Sequence, residues 1–254
     1  MKYNAVVVSH KGNVREVNED NAFINGYYGK NGNCLSWGHE SNENEIILAA
    51  VFDGMGGEAN GEIASEMAAK NMLEFIGKDF SKNVDFYIEK TNADIAMFDK
   101  EHNMGTTFVA FFEKNGKYQF YNVGDSRGYL YRAGKLSQMT LDHNLVRRMQ
   151  QEGVLTKEQA DRHPQRNSIS QFLGMKENGN LIKPDCHKVE MVAAKEGDII
   201  LLCTDGLTEM VPDDCIKDIF MKDCPTKEKA QLLLEQALEA GGKDNITIIL
   251  VEVI

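Results

Sequence analysis

The chain has 254 residues, 39 acidic against 28 basic side chains and a formal net charge of −11, with an isoelectric point near 5.1. The Lys and Arg residues are scattered along the chain, which argues against a nucleic-acid groove; a protein of this sign that acts on an anion must supply positive charge locally, as bound metal ions do. The five cysteines, Cys34, Cys186, Cys203, Cys215 and Cys224, form no CxxC pair and read as reduced thiols, which excludes a disulfide frame or a zinc site.

The opening run MKYNAVVVSH is too short an apolar stretch for a signal peptide, and no later stretch approaches membrane-spanning length. The cytosol is the default location, with no membrane partner. No Pro-, Ser- or Gly-rich linker divides the chain, so residues 1–254 are expected to form one domain, as sandwich folds of 200–250 residues do.

Residues 3–9 and 21–27 read as strands around a polar turn that holds Lys11, Gly12 and Arg15. Residues 26–45, rich in Gly, Asn and Glu, read as a surface loop or long hairpin with Trp37 as its large anchor. The aliphatic run 46–52 reads as a buried strand and stops at Asp53, followed by Gly54, Gly56 and Gly57. A carboxylate thus sits at a strand tip, and glycines beside it let the backbone bend and its carbonyls approach an ion.

Helices are expected over 61–76, stopped by Gly77, and over 84–100. A second β block follows at 106–112, 117–123, 128–132 and 135–139, joined by the short turns Asn115–Gly116 and Ala133–Gly134, which imply antiparallel hairpins. Residues 144–174 carry short, charged helical pieces with little continuous apolar face and are expected to lie over the core. Strands return at 187–192 and 198–204. Helices are expected near 212–221 and 226–240, the latter with Thr226 as N-cap and Gly241 as its end, before a last strand at 245–253. Two helix pairs among many antiparallel strands suggest two stacked sheets with a helical layer outside each, because each pair needs a sheet face to cover.

Four sites share one local pattern, an acidic residue at a strand edge beside Gly, Asn or Glu: Glu19–Asp20 in VNEDN, Asp53 in VFDGMGG, Asp205 in LLCTDGL and Asp244 in GGKDNIT. Asp125 in NVGDSR is a fifth. Any one of them alone reads as a turn former or helix cap. Brought together they would repel strongly unless cations lay between them, and an all-oxygen ligand set points to Mg²⁺ or Mn²⁺ rather than Zn²⁺. Taken alone, Arg15 reads as a surface partner of Glu16 or Glu19.

Arg15 with the NED of 18–20, DGMGG at 53–57, MGTT at 104–107, VGDSR at 123–127, DHN at 142–144, HPxxN leading to LG within 163–174, TDGL at 204–207 and GGxDNIT at 241–247 stand in this order along the chain. The string resembles the bacterial branch of the type 2C (PPM) family of metal-dependent serine/threonine protein phosphatases, and it is far more specific than any one of its parts.

The resemblance implies an α+β fold: a four-layer α-β-β-α sandwich of two antiparallel sheets flanked by helix pairs. It also implies a binuclear Mn²⁺ or Mg²⁺ cleft at one end and a flap at about 144–174. Carried over by position, Asp53 looks like the carboxylate bridging both metals, the Gly54 carbonyl like a ligand of one, and Asp205 and Asp244 like ligands of the other. Asp125, with Asp205, matches the position of a third, weaker metal. Glu19 and Asp20 are similar to the family's acidic pair, acting directly or through waters, and Arg15 resembles the phosphate clamp.

The reaction so implied is hydrolysis of phosphoserine and phosphothreonine in proteins by a metal-activated water, without a phosphoenzyme. The partners implied are phosphorylated proteins and an opposing kinase, and a monomer is expected. A hydrolase of small phosphoesters or nucleotides, or a non-catalytic metal-binding sensor, could share every ligand. Two departures stand out. Met55 and Glu58 occupy positions where relatives carry a histidine, and Gln171 stands where the family often has Arg. His143 and His163 fall on family motifs but read as flap or scaffold positions.

Overall fold

The computed structural model describes residues 1–29, 36–41, 47–56, 60–98, 104–156, 159, 163–165 and 168–254. The chain opens with β1 (Tyr3–His10), β2 (Asn21–Ile24), β3 (Tyr27–Tyr28), β4 (Ser36–Ser41), β5 (Ile47–Phe52) and β6 (Gly54–Met55). Helices α1 (Asn60–Asn71) and α2 (Val84–Phe98) follow, then β7 (Gly105–Thr106), β8 (Phe108–Lys114), β9 (Lys117–Val123), β10 (Arg127–Arg132) and β11 (Lys135–Gln138). Beyond helix α3 (Leu145–Gln151) come β12 (Lys176–Glu177), β13 (Asn180–Leu181), β14 (His187–Lys188), β15 (Val192–Ala193) and β16 (Ile199–Cys203). Helices α4 (Asp205–Thr208), α5 (Asp213–Phe220) and α6 (Thr226–Glu239) precede the last strand, β17 (Ile246–Val253).

Among the described residues, one sheet runs β11-β10-β16-β17-β1-β4 and a second runs β14-β9-β8-β5-β2-β3, with β15 also on β9. The continuous aliphatic run of β5 follows from burial on both faces. Its odd positions Ile47, Ala49 and Val51 pack against Val7, Ile249 and Val251 of the other sheet, while Leu48, Ala50 and Phe52 face Ala64 and Ala68 of α1 and Tyr87 and Ile88 of α2. Strand β17 does the same: Ile249 and Val251 face inward, and Ile246, Ile248 and Leu250 meet Ala230, Leu233 and Ala237 of α6. Each Val, Leu, Ile or Phe among them contributes about 1.5–3 kcal/mol on burial, so strand register is firmly held. The result is the four-layer α-β-β-α sandwich.

Register also decides which strand ends meet. His10 at the end of β1 pairs with Ile246 at the start of β17, and Cys203 at the end of β16 pairs with Ile248. In the other sheet Asn21 pairs with Phe52 and Phe108 with Val123. Residues 20, 53, 125, 205 and 244, each one or two positions beyond these strand ends, therefore lie at one end of the sandwich.

Local expectations change at several places, and the strand expected at 21–27 is split into β2 and β3. Within 26–45 the chain forms β3 and edge strand β4, which pairs with β1; the Trp37 side chain lies outside the described residues. The expected strand at 187–192 is two short pieces, β14 and β15, both on β9. The first expected helix ends at Asn71 and continues as a 3₁₀ turn, Met72–Phe75. Thr226 is the first residue of α6, with Pro225 as N-cap; the Thr226 hydroxyl is drawn away by Glu252. No helix among the described residues is long and apolar enough to cross a membrane.

Candidate metal centre

Asp53 is held by its main chain. Its N–H donates to Thr107 Oγ1 at 2.9 Å, and its carbonyl accepts from the Thr107 N–H at 2.9 Å and from Thr106 Oγ1 at 2.9 Å. These bonds explain why the expected strand at 106–112 starts later: Thr106 and Thr107 serve the Asp53 turn, and β7 pairs with β6 instead of extending β8. Thr107 Oγ1 also shares a 2.7 Å hydrogen bond with Ser126 Oγ, next to Asp125.

Asp20 is buried, and its Oδ2 accepts from Thr204 Oγ1 at 2.9 Å across the two sheets. Asp205 follows Thr204 directly, and its carboxylate is near enough to Asp53 for each to act on the other's charge. Asp244 pairs with Arg15, Nη2 to Oδ2 at 2.7 Å. The structure therefore joins Arg15 to a residue 229 positions away rather than to Glu16 or Glu19 by a direct ion pair. Glu19 sits beside the N-terminus of α1: a Cβ placed on Gly61 would come within 2.5 Å of Glu19 Oε1.

The electrostatics fit one crowded acidic centre. Burial, followed by Asp20, Asp205, Asp125 and Asp244, pushes Asp53 well above the ordinary carboxylate range. Burial, with Asp205 and Asp244 behind it, lifts Asp20 to about 8 against the Thr247 and Thr204 hydroxyls that hold it down. Burial, Glu209 and Asp244 raise Asp205 to about 6. Asp125 is raised by burial and then by Asp205 and Asp142, and Glu19 is raised chiefly by burial. Proton uptake relieves repulsion that a divalent cation would relieve better.

Two further observations fit a hard cation. Asp20 Oδ1 and Asp125 Oδ1 are buried without a hydrogen-bond partner, an arrangement costly for a carboxylate unless something positive faces it. The side chains that meet here are carboxylates, the oxygen donors preferred by Mg²⁺ and Mn²⁺. Among the described residues no three His, Cys, Asp or Glu side chains form a group able to enclose one ion by themselves.

The supporting hydroxyls and amides were not singled out by residue type, although they lie inside the quoted motifs: Thr107 in MGTT, Ser126 in VGDSR, Thr204 in TDGL, Asn245 and Thr247 in DNIT. Arg127 and Asp142 are a further pair, bound through Nε at 3.0 Å and Nη2 at 2.7 Å. They tie the segment before α3 to β10. His143 sits at the same root, its N–H bonded to the Gly124 carbonyl at 2.9 Å; His163 Nδ1 accepts the Gln165 N–H at 3.2 Å. Glu58 and Gly57 lie outside the described residues.

One pH dependence follows. With folded-state pKa values raised above about 3.9, the native metal-free protein binds more protons than the unfolded chain, so stability falls as pH rises through that window. For Asp20 the window extends to about 8. In chelator, the melting temperature should drop between pH 5 and pH 8, and added Mn²⁺ should raise it more at pH 8 than at pH 5. A melting temperature that climbs with pH in chelator would contradict the crowded-carboxylate account.

A model of the family described as Protein phosphatase 2C matches residues 35–240. The chain is similar to the serine/threonine phosphatase stp of Listeria monocytogenes, 34% identical over an alignment that covers 95% of this chain and 92% of that one. Among solved structures it is similar to the S. agalactiae serine/threonine phosphatase, with a TM-score of 0.83 and 31% identity over 99% of this chain and 100% of the other. It is also similar to the catalytic domain of PstP, solved in complex with two manganese ions, with a TM-score of 0.78 and 29% identity over 100% of both chains.

Proposed function

The chain belongs to the protein phosphatase 2C family, in its bacterial branch, and from that premise we propose that it hydrolyses phosphoserine and phosphothreonine in proteins with the help of two Mn²⁺ or Mg²⁺ ions. In this reading residues 1–254 act as one catalytic domain, a cytosolic monomer whose substrates are made by an opposing serine/threonine kinase. The observation that carries it is the meeting of Asp20, Asp53, Asp125, Asp205 and Asp244 at one end of the sandwich, with two buried carboxylate oxygens lacking partners.

Asp53 would bridge the two ions, the Gly54 carbonyl would bind one, and Asp205 and Asp244 the other. Asp125 with Asp205 would hold a weaker third, and Glu19 and Asp20 would act directly or through water. When bound, the ions supply Lewis acidity, a water of lowered pKa and neutralisation of phosphoryl charge. The chain's own residues fix the geometry: Thr106 and Thr107 clamp the Asp53 main chain, and Thr204 orients Asp20.

Arg15 presents a planar fork suited to two phosphoryl oxygens. Its side chain is 50% exposed and its present partner is Asp244. An exposed pair of this kind is worth about 0–1 kcal/mol, so a phosphate dianion could share or take over the guanidinium at little cost. Arg15→Ala should therefore raise KM for a phosphothreonine peptide by about 10- to 100-fold, the range for a hydrogen bond to a charged group, with a smaller change in kcat. An unchanged KM with a reduced kcat would remove the clamp role.

The activity itself is tested by phosphate release from phosphothreonine peptides, phosphotyrosine peptides and nucleotides in Mn²⁺, Mg²⁺ and chelator. Release from phosphothreonine peptides that chelator abolishes is the expected result. Preference for nucleotides would favour a small-phosphoester hydrolase, and absence of turnover with metal bound would favour a sensor.

A further inference from the structure

Residues 11–20 join β1 to β2 without helix or strand, and 13–17 are exposed. Exposed loops of this kind are ordinarily mobile, yet a phosphate clamp works only if Arg15 is held in place. Both ends of the loop converge on one buried amide. Asn245 is 4% exposed; its Oδ1 accepts the Glu19 N–H at 2.8 Å, and its Nδ2 donates to the Lys11 carbonyl at 3.0 Å and the Val17 carbonyl at 2.9 Å.

The amide orientation is settled by its surroundings, because an N–H faces one side and two carbonyls face the other. The backbone packing agrees. Gly12 has φ +79°, and a Cβ there would stand 2.2 Å from the Asp244 carbonyl oxygen, so the loop lies directly on the Asp244 turn. Asn13 adds a second tie, its N–H bonded to the Gly242 carbonyl at 2.7 Å and its exposed Nδ2 to the Leu238 carbonyl at 2.9 Å and the Gly241 carbonyl at 3.2 Å; the Asn245 side-chain bonds are partly buried and correspondingly stronger than the exposed Asn13 ones.

We infer that Asn245 is a positioning residue of the phosphate-clamp loop, a buried side chain that binds both ends of the loop and so sets Arg15 and Glu19 in register with Asp244. The inference rests on the reading of Arg15 as phosphate clamp. Asn245 touches no substrate; it acts through Arg15. Two substitutions separate its functions. Asn245→Ala removes all three bonds, whereas the nearly isosteric Asn245→Asp keeps an acceptor for Glu19 and faces the Lys11 and Val17 carbonyls with an oxygen.

The experiment measures kcat and KM for a phosphothreonine peptide at saturating Mn²⁺ in wild type, Asn245→Ala, Asn245→Asp, Arg15→Ala and the Arg15→Ala/Asn245→Ala double variant. Both Asn245 variants should raise KM by about tenfold with a smaller fall in kcat. In the Arg15→Ala background the Asn245→Ala change should raise KM by no more than about twofold, since coupled residues are non-additive. A general loss of folded protein would lower kcat and leave KM alone, and that result overturns the inference. Effects on KM that multiply in the double variant also overturn it. Arg15→Ala with an unchanged KM removes the clamp reading itself and this inference with it. Should Asn245→Ala fail to fold, Asn245→Asp alone and combined with Arg15→Ala completes the same comparison.

Discussion

Asp53→Asn should lower kcat/KM on a phosphothreonine peptide by about a hundred- to a thousandfold, a loss of the size found when a group that stabilises the transition state electrostatically is removed. The substitution keeps side-chain volume. The main chain at 53 stays where it is, because its N–H and carbonyl are bound by Thr106 and Thr107 rather than by its own carboxylate. A second readout separates loss of charge from misfolding. In the metal-free protein Asp53 is repelled by Asp20, Asp205, Asp125 and Asp244, so removing its charge should raise the melting temperature in chelator at pH 8. Mn²⁺ should then stabilise the variant less than it stabilises wild type. Activity within a few-fold of wild type with ions still bound would exclude Asp53 as a bridging ligand.

The layers were legible because burial writes itself into periodicity. Ile47 to Phe52 is apolar at every position since one face meets the other sheet and the other face meets α1 and α2, and Ala230, Leu233 and Ala237 recur at helical spacing against β17. The strand-tip aspartates were legible for the same reason, as abrupt ends of apolar runs. Their meeting was not, because it depends on register between strands far apart in sequence. Thr204 reaches Asp20 across 184 positions, and Arg15 finds Asp244 where local spacing offered Glu16 and Glu19.

Edge elements were the least legible. SWGHES carries no aliphatic alternation, yet it forms β4 because β1 leaves one row of hydrogen-bonding groups open. Thr226 has the residue type of an N-cap, but its hydroxyl is used by Glu252 and the cap falls to Pro225. In each case a tertiary partner outbid a local preference.

Gly54→Ala should abolish the metal response by a route unlike that of Asp53→Asn. A Cβ at Gly54 would lie 2.2 Å from the Gly61 carbonyl oxygen and 2.5 Å from the Glu19 carbonyl oxygen. Both obstacles are backbone, so no side-chain rotation relieves them; the start of α1 or the segment before Asp20 must move. Such a shift parts the two walls of the acidic centre, and Ser65, whose Oγ donates to the Glu19 carbonyl at 2.6 Å, would lose its partner. Overpacking a well-filled site costs about 1–3 kcal/mol and sometimes more, and here a broken hydrogen bond adds about 1 kcal/mol. The expected result is a lower melting temperature together with phosphatase activity that excess Mn²⁺ does not restore. Gly77→Ala is the matched control. Gly77 has φ +70° but nothing within 4 Å of its added Cβ, so it carries only the backbone penalty of about 1–2 kcal/mol and should keep both activity and Mn²⁺ response. A Gly54→Ala protein with wild-type stability and Mn²⁺ activation would mean that the α1 N-terminus yields freely, and the tight approach of Gly54 to Gly61 and Glu19 would then have no part in holding the centre together.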